Sequence, residues 1–231
     1  MKTINNLPSN FFASLLFLLA LMSLTGCVDL SGAKYHVAHK SSLHHVATKQ
    51  RYHGEVHTML GGLGVFSTGM KELSSSVEKQ YNIPAPSDMW YNAGGVTRTI
   101  VTYYYQHKTH RPIILVGHSL GANEQIKVAR NLDKVGVPVD LLVTVDAVSQ
   151  TIVPPNVKHV MNFYKSGYVP MFSGLRVRAV NPGKTRVENI NVVELKGVAV
   201  NHFTIDKDPV VQAMIMEEVK KVTSNANRAK G

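Results

Sequence analysis

The sequence predicts an α/β fold: a mostly parallel central sheet with helices on both faces and no large cap domain. Three observations predict it. From His53 onward, strand-like runs alternate with stretches of helical period, the pattern of βαβ units. Pro112-Ile113-Ile114-Leu115-Val116-Gly117 is an uninterrupted apolar run of the kind buried on both faces of a parallel sheet. The 231 residues are 44% hydrophobic and 17% charged with a single cysteine, enough apolar material for one full core and no possibility of an internal disulfide. The same figures exclude a disordered chain, a fibre and a multi-span membrane protein.

The elements follow in order. Glu55–Leu60 reads as a strand that runs into Gly61-Gly62-Leu63-Gly64. Thr68 to Tyr81 carries apolar residues at helical spacing through Met70, Leu73 and Val77, and Pro84 and Pro86 end it. Asp88–Asn92 is a short strand and Val96–Gln106 a helix that buries Ile100 and Tyr103–Tyr104. The apolar run 112–117 is a central strand, Ser119–Leu132 a helix and Val137–Val145 the next strand. Val157–Tyr164 and Ile190–Leu195 supply two more strands, and Asp208–Val222 closes the chain as a helix. Only Ala147 to Asn156 separate two of these strands, too few for a helical cap. The longer excursion Lys165–Val187 holds Pro170 and Pro182 and no helical period. Leaving a carboxyl edge, it is expected beside the site as an acyl-pocket wall. Met171 and Phe172 are its pocket residues, and Arg176, Arg178, Lys184 and Arg186 face headgroups or an acidic leaving group.

The amino terminus carries its own signal. Lys2 lies in a short polar stretch, and Phe11 to Met22 is almost wholly apolar, too short to span a bilayer but suited to the core of a secretory signal. It ends in Leu24-Thr25-Gly26-Cys27, which resembles the lipobox of bacterial lipoproteins. That resemblance implies that residues 1–26 are removed and that Cys27 carries diacylglycerol as the first mature residue. Its acyl chains, palmitate among them, anchor the protein stably because two or three chains act together. Val28 stands where an aspartate would mark inner-membrane retention in such proteins. The implied location is therefore the exported side of a bacterial membrane, the outer membrane in a Gram-negative host. Residues 27–52 read as the lipidated cysteine and a tether. Six histidines lie in or just beyond it (His36, His39, His44, His45, His53 and His57) at no familiar metal spacing, so we expect a solvated, pH-sensitive tether and no metal site. Residues 53–231 form the folded domain. Lys and Arg outnumber Asp and Glu by 25 to 15, a net charge of +10. On an exported protein this basic surface is expected to meet lipid headgroups or wall polymers, not nucleic acid.

Gly117-His118-Ser119-Leu120-Gly121 carries the chemistry. A G-x-S-x-G match is weak alone, but here an apolar strand enters it and a helix leaves it, the setting of a nucleophile elbow. A serine needs a base and the base an orienting acid, which in this arrangement follow in the order Ser, acid, His. Asp146 ends a strand at its carboxyl edge, where ligands gather on a parallel sheet. His202 lies between the last strand and the last helix. The oxyanion donors are expected to be the amide of Leu120, directly after the nucleophile, and that of Leu63 in the glycine turn. No Lys-Ser/Thr follows those glycines at the spacing a phosphate loop requires.

Residues 53–222 thus resemble a compact bacterial α/β-hydrolase of the lipase/thioesterase type. The resemblance is carried by residues 61–70, by Gly117-His118-Ser119-Leu120-Gly121-Ala122-Asn123, by Val145-Asp146 and by His202-Phe203-Thr204-Ile205-Asp206. It implies hydrolysis of acyl esters or thioesters through an acyl-serine, with no cofactor. The sequence departs from the commonest pattern in one respect: its acid follows the strand directly after the nucleophile helix. The later strand runs out into Asn162-Phe163-Tyr164-Lys165-Ser166, without a carboxylate. The rival reading is a non-catalytic envelope lipoprotein that uses the same fold as a binding module.

Overall fold

The computed structural model describes residues 52–108, 110–149, 152–167 and 174–228. Six strands form one sheet in the order β2-β1-β3-β4-β6-β8, and every neighbouring pair is parallel. They are β1 (Glu55–Leu60), β2 (Ser87–Met89), β3 (Ile113–His118), β4 (Val139–Val145), β6 (Val157–Tyr164) and β8 (Arg186–Asn191). Two two-residue strands, β5 (Ile152–Val153) and β7 (Arg178–Ala179), pair apart from it. The helices are α1 (Thr68–Tyr81), α2 (Ala93–Gln106), α3 (Leu120–Asp133) and α4 (Pro209–Arg228). Among the described residues no helix is long and apolar enough to cross a membrane.

The period of two along the strands sorts the core into two layers. Ile114 and Val116 of β3 join Met70, Leu73 and Val77 of α1 and Val211, Ile215 and Val219 of α4. Ile113 and Leu115 face the other way, against Val96 and Ile100 of α2 and Ile126 and Leu132 of α3. This is the mostly parallel α/β architecture expected from the sequence. Helices cover both faces, and among the described residues no helical cap follows β4 or β6.

Most elements lie at or within a few residues of their expected bounds. α1 ends where Asn82 adopts φ 52°, and its amide caps the Glu78 carbonyl, a left-handed stop. β2 is shorter than expected because Trp90–Asn92 already coils into a 3₁₀ turn. Two expectations need correction. The last strand is Arg186–Asn191, not Ile190–Leu195; Val192–Glu194 is a 3₁₀ turn. As an edge strand β8 is only partly buried, so it tolerates Arg186, Glu188 and Asn189, and its polarity hides it from a reading based on apolar runs. The excursion after β6 also does not stay at the carboxyl edge. Gly174, with φ 68°, packs so closely on Lys165 that a Cβ would fall 2.1 Å from its carbonyl oxygen. Val177 then enters the α2/α3 layer, β7 pairs with β5, and Arg186 aligns with His159 near the amino end of β6. A parallel strand must begin at that edge, so Lys184 and Arg186 belong to the end opposite Ser119.

His57 lies just beyond the tether, in the strand expected there. It is a buried residue of β1, 3.4 Å from the Glu55 carboxylate. One polar rung crosses the sheet on the α2/α3 side. The hydroxyl of Thr144 donates to Asn162 Oδ1 at 2.7 Å, and the Asn162 amide donates to Asn189 Oδ1 (2.9 Å) and the Leu175 carbonyl (2.7 Å). Asn189 in turn donates to the Val177 carbonyl and accepts from its amide.

Candidate active site

β3 delivers Ser119 to the carboxyl edge of the sheet through a sharp turn. Ser119 holds φ 57° and ψ −124°, a left-hand-side conformation that costs a non-glycine residue about 1–3 kcal/mol. Surrounding bonds enforce it: the Ser119 amide donates to the Val145 carbonyl at 2.9 Å, and its own carbonyl accepts from Ala122 and Asn123. The flanking glycines are sterically required. A Cβ on Gly117 would fall 2.4 Å from the Gly121 carbonyl oxygen, and one on Gly121 would fall 2.2 Å from that of Met59. Strand and helix therefore cross with no room for a methyl group.

Asp146 follows β4 at φ 47°, anchored by its amide on the Phe163 carbonyl at 2.8 Å. Asn123 of α3 steadies the next turn, accepting from the Val148 amide (2.9 Å) and donating to Ser149 Oγ (2.6 Å). His202 lies in a turn after β8 that Asn201 and Thr204 hold by local hydrogen bonds. Its ring meets both partners. Nδ1 lies 2.7 Å from Asp146 Oδ2 and Nε2 lies 2.9 Å from Ser119 Oγ. A carboxylate only accepts, so Nδ1 carries the proton and Nε2 is left to accept from the serine hydroxyl. Asp146 and His202 are both buried. The three residues singled out in the sequence thus form one hydrogen-bonded chain, assembled from turns 56 and 83 positions apart.

Leu120 is the first residue of α3, so its amide has no helical carbonyl to meet and sits beside the serine. The glycine turn after β1 reaches the same spot: a Cβ on Gly61 would lie 2.7 Å from Ser119 Cβ and 3.0 Å from the Leu120 nitrogen. The Gly61 amide itself is committed to Ser67 Oγ at 3.0 Å. Leu63 stands two residues further along this turn with its side chain exposed, and Trp90 Nε1 donates to the Gly62 carbonyl at 2.7 Å. Met171 and Phe172, expected to line an acyl pocket, and Cys27, expected to carry lipid, lie outside the described residues.

Beneath the chain of three lies a second layer that sequence reasoning missed. His118 is buried, with Nδ1 2.7 Å from Ser67 Oγ and Nε2 2.8 Å from the His202 carbonyl oxygen. Burial, reinforced by the nearby His202, lowers its pKa to about 4. Asp206 is fully buried and accepts from the Gly69 amide at 2.9 Å, while its Oδ1 has no hydrogen-bond partner. Burial raises its pKa to about 6, against the pull of Lys207 and that amide. Its Oδ2 lies 3.9 Å from His118 Nδ1. The only signal in the sequence was the histidine inside the G-x-S-x-G turn. Among the described residues no group of three or more His, Cys, Asp or Glu is arranged to hold a metal ion.

No protein-family profile matches the chain, and no curated protein matches it in sequence. Among solved structures, it is similar to the RedJ thioesterase of the prodiginine biosynthetic pathway in Streptomyces coelicolor. That similarity is 10% in identity, over 73% of this chain and 89% of that one, at a TM-score of 0.41. Human thioesterase 2 is 9% identical over 74% and 97% (TM-score 0.43). A Pyrobaculum calidifontis esterase is 13% identical over 78% and 77% (TM-score 0.44).

Proposed function

We propose that the protein is a membrane-anchored serine hydrolase that cleaves acyl esters or thioesters through an acyl-serine intermediate. The observation that carries this reading is the continuous chain Asp146–His202–Ser119 on a strained turn at the carboxyl edge of a parallel sheet. A structural serine has no need of a left-handed backbone, a buried imidazole and a buried carboxylate aligned behind it.

Ser119 Oγ attacks the acyl carbonyl as its proton passes to His202 Nε2. Asp146 holds the ring through Nδ1–H and stabilises the imidazolium that forms. The amides of Leu120 and Leu63 hold the oxyanion, with the helix N-terminus adding partial positive charge. His202 then returns the proton to the leaving alcohol or thiol, and a water admitted by the same base releases the acid. No metal or organic cofactor takes part. Lipid on Cys27, followed by the tether to residue 52, and the basic surface keep the domain at the exported face of a membrane.

A fluorophosphonate probe tests the reading. Wild-type protein should label at Ser119 and lose labelling on boiling, and Ser119→Ala should not label although it folds. Absence of labelling in the wild type would favour the binding-module alternative. Cys27→Ser should leave the membrane fraction; persistence there would remove the lipid anchor.

A further inference from the structure

We propose that His118 is a positioning residue that fixes the His202 turn and the glycine turn in one arrangement about Ser119; this rests on the hydrolase reading above. Its two ring nitrogens are assigned by their partners. A backbone carbonyl carries no proton, so His118 Nε2–H must donate to the His202 oxygen at 2.8 Å. Nδ1 is then an acceptor, and the Ser67 hydroxyl must donate to it at 2.7 Å. The Ser67 oxygen, its proton spent, accepts from the Gly61 amide at 3.0 Å. Every donor points the same way, from the glycine turn through Ser67 and His118 to the carbonyl of the base itself.

The arrangement joins three segments remote in sequence, and His118 is the last residue of β3, a fully buried central strand. The same two turns meet a second time above the site, where the rings of Phe66 and Phe203 stand 5.2 Å apart. One contact is buried and directional, the other exposed and apolar, so only the first sets an orientation. The ring stays neutral at ordinary pH because burial and the neighbouring His202 oppose its protonation. Asp206 Oδ2, 3.9 Å from Nδ1, is too far to accept a hydrogen bond from it.

Two amide variants of the full chain separate positioning from packing. Gln at position 118 can place an N–H near the Nε2 site and keep the bond to His202. Asn is too short and can serve only Ser67. We measure kcat and KM for a soluble p-nitrophenyl ester, the melting temperature, and the downfield proton resonance of His202 Nδ1–H. His118→Asn should lower kcat by about tenfold or more, as misplacement of a reacting group does, with KM little changed and the resonance shifted. His118→Gln should restore most of kcat and the resonance. Equal losses in both variants, or full kcat with an unmoved resonance in His118→Asn, would overturn the proposal. If His118→Asn does not fold, Ser67→Ala decides: a shifted resonance and lowered kcat support the coupling, and no change in either overturns it. A wild-type protein without turnover would defeat the hydrolase reading, yet the resonance would still report whether His118 orients His202.

Discussion

Glu55 of β1 and Asp206 of the 3₁₀ turn Ile205–Lys207 are both buried carboxylates, and their pKa values are shifted in opposite directions. Glu55 opens β1 at the amino edge. Burial alone would raise its pKa, but His57 and Arg111 outweigh it and hold it below the usual range, Arg111 by bonds of 2.5 and 2.6 Å. Asp206 lies under the carboxyl edge with one backbone amide on Oδ2 and nothing on Oδ1, and burial wins. The rest of each edge follows suit. At the amino edge Lys158 meets Asp140 at 2.6 Å, and His159 lies between Glu188 and Glu218. At the carboxyl edge sit two non-glycine residues with positive φ, Ser119 and Asp146. One edge pairs its carboxylates with basic side chains. The other spends stability on bringing Ser119, Asp146 and His202 together.

That contrast can be broken by mutation, and the largest effect is expected at the carboxyl edge. Asp146→Asn should lower kcat by about 10⁴-fold, the cost of holding the imidazole in the wrong tautomer, while Asp206→Asn should cost far less. Steady-state kinetics on both variants decide it, and the reverse order would exchange the two roles. At the amino edge Glu55→Gln should cost about 2–3 kcal/mol in urea unfolding by stranding Arg111, with kcat/KM per folded molecule unchanged. Glu55 contributes stability in full above its ordinary pKa of 4.5 and loses it as pH falls, so the variant should lack that acid limb.

A smaller effect sharpens the comparison. Asp206 has a raised pKa, so folding is penalised as pH climbs from 3.8, where the unfolded chain ionises, to about 6, where the native group does. His118 has a lowered pKa, so its contribution is full above 6.5 and is lost as pH falls toward 4. In the wild type the two slopes oppose each other in the overlapping window. Asp206→Asn should remove one, gain about 1–2 kcal/mol at neutral pH, and expose the acid loss due to His118. Unfolding free energies across that window that parallel the wild type would contradict this. Smallest of all, Lys158→Ala should shift stability by less than about 1 kcal/mol, since that lysine is 66% exposed and its pair is screened.

The elements legible in the sequence were those with local punctuation. β1, α1 and β6 stand at the bounds read from apolar spacing, proline and flanking polar residues. β5 and β7, two residues each, have no pattern to read. The meeting of Ser119, Asp146 and His202 was legible because a parallel sheet gathers its strand ends on one side. The return of residues 174–186 to the amino edge follows from the same rule, applied to a strand whose polar edge position concealed it. His118, Ser67 and Asp206 were not legible as a group. Their contacts span 51 to 137 positions and depend on how two turns fold over the elbow, which no local period encodes.

The rung of Thr144, Asn162 and Asn189 also says how the chain avoids a wrong sheet. Parallel strands of Val, Leu and Ile can slide past one another by two residues and still present apolar side chains to the same layer. A slip of β6 against β4 by two would move Asn162 from Thr144 to a position opposite Leu142 or Asp146. It would also strip the carbonyl of Leu175 of its donor. Each buried amide stranded in this way costs about 1–3 kcal/mol, more than sliding an aliphatic pair. The three polar residues work like the notch of a key. A misaligned sheet loses these bonds, whatever apolar contacts it keeps.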